Sequence, residues 1–519
     1  MTSGLVRLTL IALTIVMALG ATPASAQTML RTLITSDIRG LMPGISPDDN
    51  TGTVLQQVYE GLVAWRQDGT VAPMLAHDIK TSEDGLSYTF TLRDGIVFHN
   101  NAPLTAKEVV WTWTTFLDPA AKWPCRANYD GSRGIKIEAV EAVDAHTVRF
   151  RLAAPFPTFL SMMARADCDA AGIAHPDSVD ASGTWVRAIG TGPFKVTDWR
   201  RGEFIELERH DRYSAREEPV DGYAGAKAPK VDRIRFLIIP EPATAKAALL
   251  AGNIDLWASI DPKYAKELGA DKRLRLVSSP TASINALVMQ TNDPLLADKR
   301  VRQAINAAID VAALAEAATD GYAKPNTSPV PLSSRYFGDI QRRGHQHDVA
   351  KAKRLLAEAG YRGQPIKIVT NSRFAVMNDI AILVQAMGQA AGINFVVETI
   401  EFGTQLSRSF KGDYQLLVFN YTPYLDPMFV FDRFVGDKQK QADRVWGNPR
   451  AVELLAKLAA TPPDDRQPIY DELHRLFIDD SPMVVWSSGT FVSAYAPAIR
   501  GYEPWPGRKP RLWNVEVAK

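Results

Sequence analysis

The stretch from Ile189 to Tyr213 constrains the fold more tightly than any other part of the chain. Its opening, Gly190-Thr-Gly-Pro193, is dense in residues that turn a backbone. Phe194 and Val196 supply apolar strand positions, Arg201-Gly202 breaks the run, and Phe204, Ile205 and Leu207 supply a second set. Two short strands joined by a tight turn need a core to lie on. The chain has 519 residues, more than one hydrophobic core usually serves, so two or more domains are expected. Hydrophobic residues make up 46% and charged residues 23%, an ordinary globular balance. A formal net charge of +1 provides no electrostatic device for nucleic acid or an anionic membrane.

The N-terminus stands apart. Arg7 precedes a charge-free, largely apolar run over 8–19, and Ala24-Ser25-Ala26 before Gln27 is an A-x-A cleavage pattern. Together they read as a secretory signal peptide over 1–26, cut after Ala26. The alternative, a membrane anchor, needs about 20 apolar residues, and this run is too short. No Cys follows the leader, so no lipid anchor is expected, and a Gram-negative periplasm fits a soluble exported protein. Cys125 and Cys168 both lie in the exported portion. In an oxidising compartment they read as one disulfide, closing a loop of roughly 40 residues and stabilising by ~3–4 kcal/mol in the chain-entropy account. The alternative is two separate buried thiols.

The rest alternates strand and helix signals. A strand is expected over 30–34, then a loop over 36–44. A helix capped from Asp48-Asp-Asn-Thr51 should run through Val54, Leu55, Val58 and Leu62. Residues 77–152 alternate short strands and turns, interrupted by a helix whose Thr105 and Glu108 form a capping box. A helix over 153–166 leads to Cys168. Beyond the hairpin come a strand over 231–239, a helix over 243–251, and two strands over 274–277 and 282–290. The helix over 298–310 puts Val301, Ile305, Ala308 and Ile309 on one face. A helix over 348–360 is capped by Asp348 and Gly360. Strand 365–370, helix 377–391 and strand 393–400 form a βαβ unit, so the second half should hold a partly parallel sheet. A strand over 414–420, a helix over 467–478 and a buried strand over 483–486 close the pattern. The Pro- and Trp-rich tail should lie over the first lobe.

Enzyme signatures are missing from the sequence. It has no G-x-S-x-G elbow, P-loop, H-E-x-x-H or dinucleotide fingerprint, and Gly190-x-Gly192 lacks the third glycine. His99 reads as a turn-closing polar residue. His345-Gln-His347 has no third ligand nearby and reads as a solvated helix entry. The acid pairs Asp48-Asp49, Glu217-Glu218 and Asp479-Asp480 read as solvated caps.

Six blocks in register carry a resemblance. They are Tyr59-Glu-Gly-Leu62, the stretch 92–109, the opening hairpin 190–213, the helix-Gly-x-Ile-Asp pattern over 248–255, Asp298-Lys-Arg-Val-Arg-Gln-Ala-Ile-Asn-Ala-Ala-Ile-Asp310, and 352–361. Together they resemble the peptide/nickel class of solute-binding proteins that serve ABC importers, family 5. Asn101-Ala102 departs from the family's usual glycine in one turn. The resemblance implies an α/β, two-lobed periplasmic-binding-protein fold (type II, cluster C-like), with an extra subdomain in the first lobe and a hinge of crossing strands. Lobe I would span 27–282 and 480–519, with the subdomain inserted over about 66–188. Lobe II would span 283–479.

The resemblance also implies a site between the lobes. The loop Asp37-Ile-Arg-Gly40 corresponds to a first-lobe loop that lines the family's cleft, giving Asp37, Arg39 and Gly40. Arg373 corresponds to a region where dipeptide-type members pair an Arg with a ligand carboxylate, a bidentate geometry that suits guanidinium. The loop 420–427 matches the segment where peptide binders place an acid for the ligand's ammonium. Pro423 stands at that position, and Asp426 matches a second, more structural acid. Tyr421 and Tyr424 could stack on a ligand instead, and Trp486 on the last strand completes the candidates. The expected partners are a peptide-like or amino-acid-derived solute and an ABC permease. No catalysis, cofactor, metal or nucleic acid is expected, and the protein should be a monomer. Glutathione, an opine, an oligosaccharide or a metal chelate are alternative ligands. An exported hydrolase and a chemosensory subunit are alternative roles.

Overall fold

Two long strands, Arg275–Met289 and Met483–Tyr495, run antiparallel and carry the chain from one half of the molecule to the other. The computed structural model describes residues 27–518 apart from Pro47 and Asp261, so the leader read over 1–26 lies outside the described residues. The two strands are neighbours, second and third in a six-stranded sheet. Its order is Leu256–Trp257, Met483–Tyr495, Arg275–Met289, Leu416–Tyr421, Ile366–Asn371 and Phe395–Ile400. The last two pair in parallel across the helix Ala375–Ala390, the expected βαβ unit. Against this sheet packs the helix Lys299–Ala308, whose Val301, Ile305 and Ala308 are fully buried with the following Ile309.

The sequence reads 274–277 and 282–290 as two strands, with Pro280 between them. In the structure the strand runs through. Proline lacks a backbone donor, so it fits where a ladder is already interrupted. Here the register shifts from Pro280 opposite Thr490 to Ile284 opposite Ser488, leaving three residues facing Gly489. The bulge is pinned from outside, where the Ala282 N–H donates to Pro506 O at 2.9 Å. Gly489 is required by the close approach, since a Cβ there would lie 2.0 Å from Ser283 Oγ. The final strand, read only as far as Trp486, continues through this point to Tyr495.

A second sheet has the order Met29–Ile34, Arg233–Ile238, Phe204–Arg209, Phe194–Arg200. The opening hairpin forms its last two strands. A third, antiparallel sheet orders Ala76–Thr81, Ser87–Leu92, Thr147–Leu152 and Ile137–Ala142. Beside it lies the helix Ala106–Leu117, whose capping box is present as read. Trp113 of this helix is fully buried among Phe116, Trp123, Tyr129 and Phe150. Cys125 and Cys168 are joined in a disulfide that ties this core to the segment after the short helix Phe159–Met163. The helix expected over 153–166 is confined to those five residues.

The first helix, Asp49–Leu55, is capped by Asp48 as read, but stops well before Leu62. The hairpin takes over the backbone there. The Gly192 N–H donates to Val58 O at 2.9 Å and the Phe194 N–H to Gln57 O at 3.1 Å. A Cβ on Gly190 would lie 2.2 Å from Val58 O, which accounts for the glycine. Glu60, buried in the following turn, accepts from Thr191 Oγ1 at 3.1 Å and from Tyr213 Oη at 2.8 Å, with Lys227 Nζ 3.7 Å away. The hairpin and Tyr59-Glu-Gly-Leu62 therefore form one interlocked unit. The tail packs here too, with Gln56 and Gln57 donating to Pro510 O. No described helix is long and apolar enough to cross a membrane.

Candidate ligand cleft

The hinge strands form the floor of a cleft of about 560 Å³. Thr281, Ser283, Asn285, Trp486 and Gly489 come from the two strands themselves. One side is built by Phe374 and Met377 at the start of helix Ala375–Ala390, Phe402 and Leu406 of helix Phe402–Lys411, and Phe419 and Asn420 of strand Leu416–Tyr421. Ser259, Phe491 and Arg508 close the other side. The walls are thus largely aromatic with a few fixed polar groups, the usual make-up of a small-molecule site of about 300–1,000 Å³.

The polar groups are mostly locked by the fold. Asn285 donates to Ser487 Oγ at 2.8 Å and accepts from Asn420 Nδ2. Gln405 accepts from Asn371 Nδ2 and donates to Val418 O, both at 2.8 Å. Thr281 and Ser283 hydrogen-bond each other across the bulge at 2.5 Å. Trp486 is buried, and its indole N–H has no acceptor among the described residues. Arg508 pairs with Asp49 at 3.0 Å through one terminal nitrogen. Among the described lining residues it is the only charged one.

Of the eight residues expected at the site, the structure brings Trp486 into the cleft wall. Arg373 is exposed beside it, its guanidinium 5.4 Å from the ring centres of both Phe374 and Phe402. The other six lie elsewhere. Asp37 accepts from Trp199 Nε1 at 2.9 Å and from the Gly202 N–H at 3.0 Å, so it fastens the hairpin turn. Arg39 is exposed, and its N–H donates to Thr51 Oγ1. Gly40 faces Ile45. Tyr421 is buried against Phe419 and Phe434, and that burial pushes its phenol pKa up. Tyr424 lies under the Arg165 guanidinium, 5.3 Å from its ring centre. Asp426 is a core group, bonded to Arg466 at 2.5 Å and Tyr470 Oη at 2.7 Å. An acid whose lone pairs are satisfied by a buried arginine and a tyrosine is fixed in place and has little left for a ligand.

The residues that build the cleft and were not read from the sequence are chiefly Phe374, Phe402, Phe419, Asn285 and Arg508. Their signal was weak. Phe374 follows the singled-out Arg373, and Asn420 opens the singled-out loop, but the helix Phe402–Lys411 was not anticipated. Its Glu401 cap, which accepts from the Thr404 N–H, was the available cue. The histidines singled out are structural. His99 accepts from the Gly190 N–H at Nδ1 and donates from Nε2 to Gly192 O, and burial pushes its pKa down to about 3. His345 contacts Ser481 Oγ and His347 lies 3.7 Å from Asp310.

Two lobes on a hinge of crossing strands, with a ligand-sized cleft against the hinge, define a solute receptor of the type II periplasmic-binding-protein class. The chain belongs to the bacterial extracellular solute-binding proteins, family 5, whose middle-region pattern matches residues 70–442. That family is made up of solute-binding proteins. The chain is 26% identical over 488 residues to the probable D,D-dipeptide-binding periplasmic protein DdpA of Escherichia coli (strain K12), covering 90% of each chain. It is 26% identical over 509 residues to the glutathione-binding protein GsiB of Salmonella paratyphi A, covering 95% of each. Its structure superposes on the ABC transporter substrate-binding protein CtaP of Listeria monocytogenes with a TM-score of 0.81 and 26% identity, covering 95% of this chain and 100% of that one.

Proposed function

We propose that the chain is exported by a signal peptide over 1–26 and works in the periplasm as a monomeric receptor. It would capture a peptide-like or amino-acid-derived solute and deliver it to an ABC permease. The observation that carries this reading is the cleft itself. Groups from both sides converge on it, and its floor is the bulged pair of hinge strands. In this reading lobe I comprises 27–282 and 480–519, with the subdomain over about 66–188, and lobe II comprises 283–479. Closure around a ligand shifts an open–closed equilibrium, and the closed form is what the permease reads. No catalytic role is proposed, because no nucleophile–base pair lines the cleft among the described residues.

The relatives' names support the ligand class: two of them refer to a dipeptide and to glutathione. A thermal-shift screen of the mature chain over dipeptides, glutathione, opines and oligosaccharides tests the reading. A solute at 100 times its Kd stabilises by about 2.7 kcal/mol. Stabilisation by an amino-acid-derived solute is expected. Stabilisation by oligosaccharides alone would reject the ligand class.

A further inference from the structure

We propose that the cleft selects a solute whose amine is blocked, whose body is aromatic or aliphatic, and whose carboxylate is set toward Arg508. This rests on the reading of the chain as a receptor for amino-acid-derived solutes and narrows it.

The argument starts from charge. A small free peptide brings an ammonium into the cleft, and closure strips its water. Uncompensated burial of such a charge costs several kcal/mol. Aromatic faces return only part of that through cation–π contact. A carboxylate is needed to close the gap, and no described residue lining the cleft is Asp or Glu. Asp426 is held by Arg466 and Tyr470 and Asp37 by Trp199, Asp49 is paired with Arg508 at the cleft edge, and Asp320 and Asp379, next in sequence to the lining residues Thr319 and Ile380, are exposed and outside the lining. Glu401 caps its own helix by accepting from Thr404 N–H.

The donors have the opposite balance. Arg508 uses one terminal nitrogen on Asp49, and its planar fork carries further N–H groups suited to a carboxylate. Trp486 adds a buried indole N–H with no protein acceptor among the described residues. The position of Arg508 is built by the fold. Two residues before it, Pro506 O holds the hinge bulge, and one residue after it, Lys509 Nζ pairs with buried Asp169 at 3.2 Å. Arg508 itself has φ +68°, a left-handed conformation that a non-glycine residue keeps only when its surroundings enforce it. The walls of Phe374, Phe402, Phe419 and Phe491 then require an apolar body of matching bulk.

Calorimetric titration of the mature chain with four probes tests this: N-acetyl-Phe-Phe, free Phe-Phe, N-acetyl-Phe-Phe amide and a malto-oligosaccharide. The blocked acid should bind at least tenfold more tightly than either the free amine or the amide. Arg508→Asn, which tolerates the left-handed backbone, should erase the acid-over-amide preference without changing the melting temperature. Asp49→Asn, which frees the Arg508 fork, should tighten the acid severalfold, and it decides the role of Arg508 if the first variant does not fold. Equal or tighter binding of free Phe-Phe overturns the blocked-amine inference and leaves the underlying reading standing. An acid-over-amide preference that survives Arg508→Asn, or an Asp49→Asn affinity that does not change, removes Arg508 from the site. Failure of all three amino-acid probes to bind overturns the inference, and binding of the malto-oligosaccharide alone overturns the reading beneath it as well.

Discussion

Glu60 shows what a signature residue does at the smallest scale. It is 2% exposed and is satisfied by a threonine and a tyrosine from the two ends of the hairpin stretch and by a lysine beyond it. Removing one member of such a buried cluster leaves the others unpaired. Glu60→Ala should therefore cost about 3–5 kcal/mol, read as a lower midpoint of denaturant unfolding. Lys227 is part of the reason, since burial lowers its pKa and Glu60 opposes that. His99 supplies a pH dependence. Burial holds its pKa at about 3 in the folded chain, against about 6.5 unfolded. Between those values the unfolded chain binds more protons, so stability rises with pH. The contribution is fully present above about pH 6.5 and is lost as the pH falls toward 3, by at most ~1.4 kcal/mol per unit. His345, lowered to about 4 chiefly by burial, acts in the same direction. Unfolding midpoints measured at pH 7 and pH 5 should fall on acidification, and His99→Gln should flatten that slope.

At the scale of elements, most of the fold was legible, while of the cleft lining the sequence reading named Trp486 and the neighbouring Arg373. Strands and helices with clear periodicity, such as the βαβ unit over 366–400, appear within a few residues of their expected bounds. Long-range contact produced the misses. The helix Asp49–Leu55 ends early because the hairpin claims its following carbonyls, and the hinge strand passes Pro280 because it bulges there, three of its residues facing Gly489 of its partner. Local pattern carries no information about partners as distant in sequence as Val58 and Gly192 or Pro280 and Thr490. The same limit explains the site. Asp37 and Asp426 have the residue type of a ligand contact, yet distant groups, Trp199 and Arg466, consume them. Arg508 lies in a tail that reads as packing. The hinge offers the sharpest test at this scale. Gly489→Ala places a Cβ 2.0 Å from Ser283 Oγ and 2.5 Å from Thr281 Oγ1, so both hydroxyls must move and their mutual hydrogen bond is disturbed. We expect a loss of about 1–3 kcal/mol, as for other overpacked sites, together with weaker solute binding. Gly489→Ala combined with Ser283→Gly and Thr281→Ala, which removes both clashing hydroxyls, should recover the stability; stability recovered without binding would mean that the bulge matters to the fold and not to closure.

At the scale of the whole molecule, the contacts between the proposed lobes define what closure must make and break. Arg165, from the first lobe, stacks on Tyr424 and Phe429 of the second, 5.3 and 5.6 Å from their ring centres. Nearby, Gly69 touches the Leu425 backbone closely enough that a Cβ would lie 2.8 Å from its oxygen, and Arg335 approaches Asp68 at 3.8 Å. The 421–427 loop thus lies against the first lobe. Among the residues expected from sequence to touch ligand, Tyr424 thereby stands in the contact between the proposed lobes. A desolvated cation–π contact contributes about 2 kcal/mol. Its loss should move the open–closed ratio roughly 30-fold toward open, and apparent affinity falls with the closed fraction. Removing Arg165 alone would strand its buried ion-pair partner Asp167, so the informative variant is Arg165→Met with Asp167→Asn. Small-angle scattering of the apo protein should then show a larger radius of gyration, and titration with the best-bound solute should show weaker affinity with an unchanged heat per site. An unchanged radius with unchanged affinity would reduce Arg165 to interface packing. An unchanged radius with weaker affinity would instead place Arg165 in contact with the solute.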